Sequence, residues 1–152
     1  MNVPAFRFRL ERVRAVRERT EQLAKQDLAE AISLRSGTEA ELLAAEAQLE
    51  QAHLEHRAGT ERAGTLEASE LVARQAYLER VEAQRTARVQ ELGHREAEVL
   101  ERDAKLTKAA AEHEMLKRLR ERQREEHKRE AGRREQGELD EIASSSFSRS
   151  RT

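Results

Sequence analysis

Cysteine is absent from this 152-residue chain, and so is tryptophan; there is one proline, one tyrosine and three phenylalanines. Without cysteine there are no disulfides, no thiolate metal ligands and no thiol chemistry, and a reducing compartment is compatible. With aromatics at 3% the chain has little to fill a thick multilayer core. No run approaches the 18 apolar residues of a membrane-spanning helix. The arginine-rich start lacks an apolar stretch of signal-peptide length, so no secretion signal is expected. Glycine, at six residues, is too sparse to cradle a phosphate, and GxxxxGK[ST], GxSxG, HRD and GxGxxG are all missing.

What remains is charge and aliphatic spacing. Charged residues make up 39% of the chain, yet the net charge is −1, so only the distribution is informative. Residues 5–19 carry six arginines against Glu11 and Glu18, and residues 37–70 carry eight glutamates against Arg57 and Arg62. Residues 117–135 carry nine Lys/Arg against five Glu. The dominance of Ala, Glu, Arg, Leu and Gln points to long helices or coiled coil.

The opening Phe6-Arg7-Phe8-Arg9-Leu10 alternates like a strand, but a helical period follows. Val13, Val16, Thr20, Leu23, Asp27, Ala31, Leu34, Thr38, Leu42, Ala45, Leu49, Ala52 and His56 step by three or four. This predicts one helix ending at about residue 57, with Ser36-Gly37 as a weak point. Gly59 and Gly64 then fall within six residues, so 58–69 reads as a turn with Ser69 as N-cap. A second helix over 70–142 follows from Leu71, Leu78, Val81, Val89, Leu92, Val99, Leu106, Ala110, Leu116 and Leu119, in a phase that also carries Arg85, Glu96, Asp103 and His113. Residues 143–152, SSSFSRSRT with its preceding Ala, read as a disordered tail. The fold class is all-α: a long antiparallel two-helix coiled-coil hairpin, 1–57 pairing with 70–142. Pairing outward from the turn sets residue 10 opposite about residue 117, so the two basic segments converge and the acidic segment lies at the turn.

Candidate chemistry is thin. His53 and His56 with Glu46 and Glu50 share neighbouring turns, as metal ligands would, but no HExxH accompanies them. Carboxylates on exposed helices pair with Arg and Lys one turn away, and no apolar pocket shifts their pKa values. No catalytic, cofactor or metal role is assigned, and the chain reads as a non-enzyme. The basic segments fit a protein partner or phosphate backbones, but a leucine-zipper DNA binder needs an unbroken basic-plus-zipper helix, which the glycine pair opposes. A membrane-surface role for Phe6, Phe8 and Leu10 rests on a very short apolar face. A structural homodimeric coiled coil is the alternative from another class.

The motifs themselves suggest a family. Phe6-x-Phe8-x-Leu10-x-x-Val13 before a basic helix, Tyr77-Leu-Glu-Arg-Val81 after the turn, and a closing Leu139-Asp-Glu-Ile-Ala143 together resemble the flagellar export protein FliJ family. The resemblance implies the stalk of a hexameric export ATPase, linked to the cytoplasmic domain of the export-gate membrane protein, and an escort role for export chaperones. It also implies a cytoplasmic location at the inner face of the bacterial membrane, held through partners, with no nucleic acid bound. The virulence type III secretion stalk shares this architecture. The implied ring contact falls on Phe6, Phe8, Leu10, Arg12, Arg14, Arg17, Arg19, Lys117, Arg120 and Arg124. The implied gate contact falls on Ala45, Leu49, Ala52 and His56 of the first helix, and on Tyr77, Val81, Gln84 and Arg88 of the second. Ala52 and His56 stand where the family often carries aromatics, and Arg88 departs from its pattern.

Overall fold

The computed structural model describes residues 4–61, 64 and 67–149. Two α-helices, α1 (Glu11–Glu61) and α2 (Ala68–Arg149), account for the secondary structure of these residues. The helical period wins at the start: Glu11 N–H donates to the Phe8 carbonyl at 3.2 Å and Arg14 N–H to that of Leu10 at 2.8 Å. Glu11 in the first turn also suits the positive end of the helix dipole. The chain divides into two compact units, Leu23–Thr107 around the turn and Met1–Gln22 with Lys108–Thr152 at the termini. In each, α1 lies antiparallel against α2, the all-α hairpin pairing that the sequence implies.

Of the segment expected as a turn, 62, 63, 65 and 66 lie outside the described residues; Gly59 is inside α1 and Gly64 is in a turn. Ser69 is the second residue of α2 rather than its cap. The carbonyl of Glu67 accepts from Glu70 N–H at 3.0 Å and Leu71 N–H at 3.4 Å, which puts Glu67 at the cap. At the other end α2 runs to Arg149, over 143–149 where the sequence pattern expects a disordered tail. There the hydroxyls of Ser145, Ser146 and Ser148 donate to carbonyls three residues back, which is compatible with a helix held by its own backbone.

In the unit around the turn the covered positions of α1 form strict heptads. Leu28, Arg35, Leu42, Leu49 and His56 make one row, and Ala31, Thr38, Ala45, Ala52 and Gly59 the other. The second row is small throughout, and the guanidinium of Arg74 occupies the space that a Cβ on Gly59 would need. Stepping seven residues back on α1 and seven forward on α2 from that contact pairs Ala52 with Val81, Ala45 with Arg88, Thr38 with Arg95 and Ala31 with Arg102. Small side chains therefore sit level with large ones. The seam arginines bury their stems and send their charge to the rim: Arg88 reaches Glu41 at 2.8 Å, and Arg95 reaches Glu98 at 3.0 Å.

This register corrects the expected stripe. Val13, Val16, Leu23 and Leu34 are 44 to 63% exposed, and Ala24, Leu28 and Arg35 take the inward positions. Two phasings run through Ala31 and Thr38, and the row continuing in strict heptads from Leu42 decides between them. On α2 the same rule puts Arg95 and Arg102 inward, where the expected phase had Glu96 and Asp103, and leaves Val89 exposed.

In the terminal unit Glu11 lies 3.6 Å from Arg120 and Arg17 lies 2.7 Å from Glu112. Leu10 is thus level with about residue 121, one helical turn beyond the expected 117. His113 is buried, its Nδ1 at 2.6 Å from Glu21 Oε2. Phe8 is buried, and the Phe6 ring tilts against His127 at 5.8 Å. Beyond these contacts residues 132–144 of α2 are exposed on every side, Leu139 and Ile142 included.

A Cβ on Gly37 would meet no atom within 4 Å, and its φ is not positive. Gly37→Ala is therefore expected to raise unfolding stability by about 0.5–1 kcal/mol through helix propensity and a stiffer unfolded chain, read by urea titration of helical circular dichroism.

Candidate partner-contact surfaces

The first surface lies in the terminal unit and gathers the residues implied for the ATPase ring. Folding splits them by what they already hold. Arg14 is committed to Glu11 at 2.7 Å and Glu18 at 3.1 Å, and Arg17 to Glu112. Lys117 pairs with Glu114 at 3.3 Å, Arg120 with Glu11, and Arg124 with Glu121 at 3.9 Å. Arg12 and Arg19, with Arg7 and Arg9 before them, are exposed and form no ion pair among the described residues. The positive charge left to a partner is therefore concentrated on residues 7, 9, 12 and 19. Phe8 is spent on burial, whereas Phe6 is half-buried and Leu10 exposed. Phe6, Arg7, Phe8, Glu11 and Arg120 border a small open hollow at this end.

The second surface lies in the unit around the turn. The residues implied for the gate contact do not share one exposed face. Ala45, Ala52 and Val81 are buried in the seam, and Leu49, His56 and Arg88 are half-buried there. Tyr77 and Gln84 are exposed, and the Arg80 guanidinium lies 5.4 Å from the centre of the Tyr77 ring. A shallow groove nearby is lined by His56, Leu71, Val72, Gln75, Ala76 and Glu79. Leu71 and Val72, exposed at the start of α2, were not assigned to a contact from the sequence. Their apolar character at the start of the second helix was the available signal.

The histidines flagged as possible ligands are placed differently. His53 faces Glu82 across the hairpin at 3.8 Å, and His56 lies in the seam row. Among the described residues no three His, Cys, Asp or Glu side chains gather as a metal site would require. No helix among them is long and apolar enough to cross a membrane.

The sequence model of the flagellar FliJ protein matches residues 6–152, essentially the whole chain. The chain belongs to the FliJ family. No curated protein and no solved structure matches it. As a member of that family it is a component of the flagellar protein export apparatus, a structural and export part.

Electrostatics along this FliJ chain are local. Glu11 is held below the ordinary carboxylate value by a hydrogen bond from Arg14, Glu101 by Lys105, Glu114 chiefly by Arg118, and Glu125 by Lys128. A carboxylate with a depressed folded pKa stabilises the folded state above its unfolded value, and that contribution is lost as pH falls through the folded one. The share of thermal stability that these carboxylates supply is expected to fall progressively below about pH 4.5, measured by melting at matched ionic strength.

Proposed function

We propose that this FliJ protein is the stalk of the hexameric flagellar export ATPase and links it to the cytoplasmic domain of the export gate, while escorting export chaperones. On this reading it works in the cytoplasm, at the inner face of the membrane, held there by its partners. The observation that carries the proposal is the set of exposed arginines at 7, 9, 12 and 19, which form no ion pair among the described residues. A helix end bearing unspent positive charge and a half-buried Phe6 suits insertion into an acidic collar. The gate contact falls to the residues that the seam leaves outside, Tyr77 and Gln84. Ala45, Ala52 and Val81 support that surface from beneath by fixing the register.

Stimulation of the cognate export ATPase, and an increase in its hexamer fraction on adding the purified chain, test the stalk role. Arg12→Glu with Arg19→Glu is expected to weaken ring binding at least tenfold at low salt and less at high salt, with melting unchanged. Arg14→Glu with Arg17→Glu removes internal pairs and is expected to lower the melting temperature as well. Equal ring binding by the Arg12/Arg19 variant and wild type at every salt concentration refutes the proposal.

Tyr77→Ala tests the gate contact separately. Truncating an aromatic interface anchor costs about 2 kcal/mol, or roughly thirtyfold in affinity. Calorimetric titration against the isolated gate domain is expected to show that loss, with ATPase stimulation retained.

A further inference from the structure

The unit around the turn presents a long exposed face that neither proposed contact uses. His53 and Glu82 each directly follow a seam residue, Ala52 and Val81, and they meet at 3.8 Å. Residues one past a seam position therefore share one side of the hairpin on both helices. Ile32, Leu43, Val89 and Leu100 all occupy such positions and are 41 to 71% exposed. The register sets Ile32 level with Leu100 and Leu43 level with Val89. The two apolar pairs stand eleven residues apart, about 16 Å along the helices.

We propose that this face binds a second copy of the chain, packed antiparallel about a two-fold axis midway between the two apolar pairs. The side-chain order along the face is self-complementary under that operation. Laying α1 on its copy puts Ile32 on Leu43, Glu39 on Ser36, Glu46 on Ala29 and Glu50 on Lys25. Laying α2 on its copy puts Val89 on Leu100, Glu96 on Gly93, Asp103 on Thr86 and Glu82 on Thr107. Every large apolar side chain meets another, and every acid meets a neutral residue or a lysine. The parallel arrangement lacks this property, because it brings Glu50 against Glu82.

Gly93 fits the same picture. A Cβ there would meet nothing within 4 Å in the single chain, so the fold itself does not require glycine at this helical position. Beside the two-fold axis it lets the two α2 helices approach closely, as a residue without a side chain does. The strip from residue 25 to 50 is about 38 Å long and two helices, or about 20 Å, wide. Two such faces bury about 1,400 Å² together, within the size range of specific interfaces. With four large apolar side chains per copy, a dissociation constant of roughly 1–50 µM is expected.

Sedimentation equilibrium of the full chain from about 0.5 to 200 µM tests the proposal and is independent of the export ATPase and gate. A monomer–dimer equilibrium in that range is expected. Leu43→Glu is expected to abolish it with helical circular dichroism unchanged. Gly93→Gln is expected to raise the melting temperature of the single hairpin yet weaken the dimer at least tenfold. Lys25→Glu is expected to weaken the dimer, and the double variant Lys25→Glu/Glu50→Lys to restore it. A wild-type chain that stays monomeric throughout, which would leave the face to a different protein, overturns the proposal. So does a dimer that survives Leu43→Glu, or one that the charge exchange fails to restore.

Discussion

The packing of small residues on α1 against long ones on α2 is the constraint on which the rest of the turn unit depends. Ala31, Thr38, Ala45, Ala52 and Gly59 leave room, and Arg74, Val81, Arg88, Arg95 and Arg102 fill it. An arginine can occupy a seam only if its stem is covered and its guanidinium reaches water or a carboxylate. Both conditions are met because the facing residue is short and glutamates flank the seam, Glu41 and Glu91 for Arg88, Glu91 and Glu98 for Arg95. Exchange of the two rows would place long side chains opposite long side chains, with no room for either. Register is thus fixed by size as much as by hydrophobicity.

The same constraint makes the core thin. Among the described residues the fully covered apolar ones are mostly alanines, joined by Phe8, Leu78 and Val81, and no large side chain is completely removed from water. Burial at about 25 cal/mol per Å² of apolar surface supplies little from such residues. Helix propensity and many surface ion pairs, each worth about 0–1 kcal/mol, carry more of the stability than in a globular domain. His113 against Glu21 is the polar exception inside the terminal unit, a covered pair where a hydrophobic couple would be expected. Covered polar pairs of this kind do more to specify which residues meet than to add net stability.

Much of this was legible from the sequence. The absence of proline beyond Pro4, the charge content and the two striped segments around a glycine pair lead directly to an all-α antiparallel hairpin. The register was not legible, for an identifiable reason. Between residues 13 and 38 two phasings compete, and the one richer in Val and Leu is the exposed one. A reading that ranks positions by hydrophobicity prefers Leu23 and Leu34 to Ala24 and Arg35, and so rotates the helix by about one residue. On α2 it passes over arginine as an inward residue and moves to Glu96 and Asp103. The clue available in the sequence was strict heptad spacing from Leu42 onward, which extends backward through Arg35, Leu28 and Glu21 without a skip. The candidate surfaces suffered in the same way. Family position alone marks Ala45, Ala52 and Val81, and only packing shows that the seam consumes them.

Once the seam claims its residues, the outward chemistry of the chain is what the two flanks retain. In the terminal unit internal pairing takes Arg14 and Arg17 and leaves Arg7, Arg9, Arg12 and Arg19, so the usable charge of residues 5–19 is narrower than the raw count of six suggests. In the turn unit the flank carrying Tyr77 and the flank carrying Ile32, Leu43, Val89 and Leu100 are opposite faces of the helix pair. An antiparallel hairpin has only these two open sides, because each helix spends a third face on its neighbour. A protein built as one thin pair can still engage more than one partner in the same stretch of chain, provided that each partner takes a different flank. The exposed aliphatic residues that a globular protein would bury are, in this architecture, what distinguishes one flank from the other.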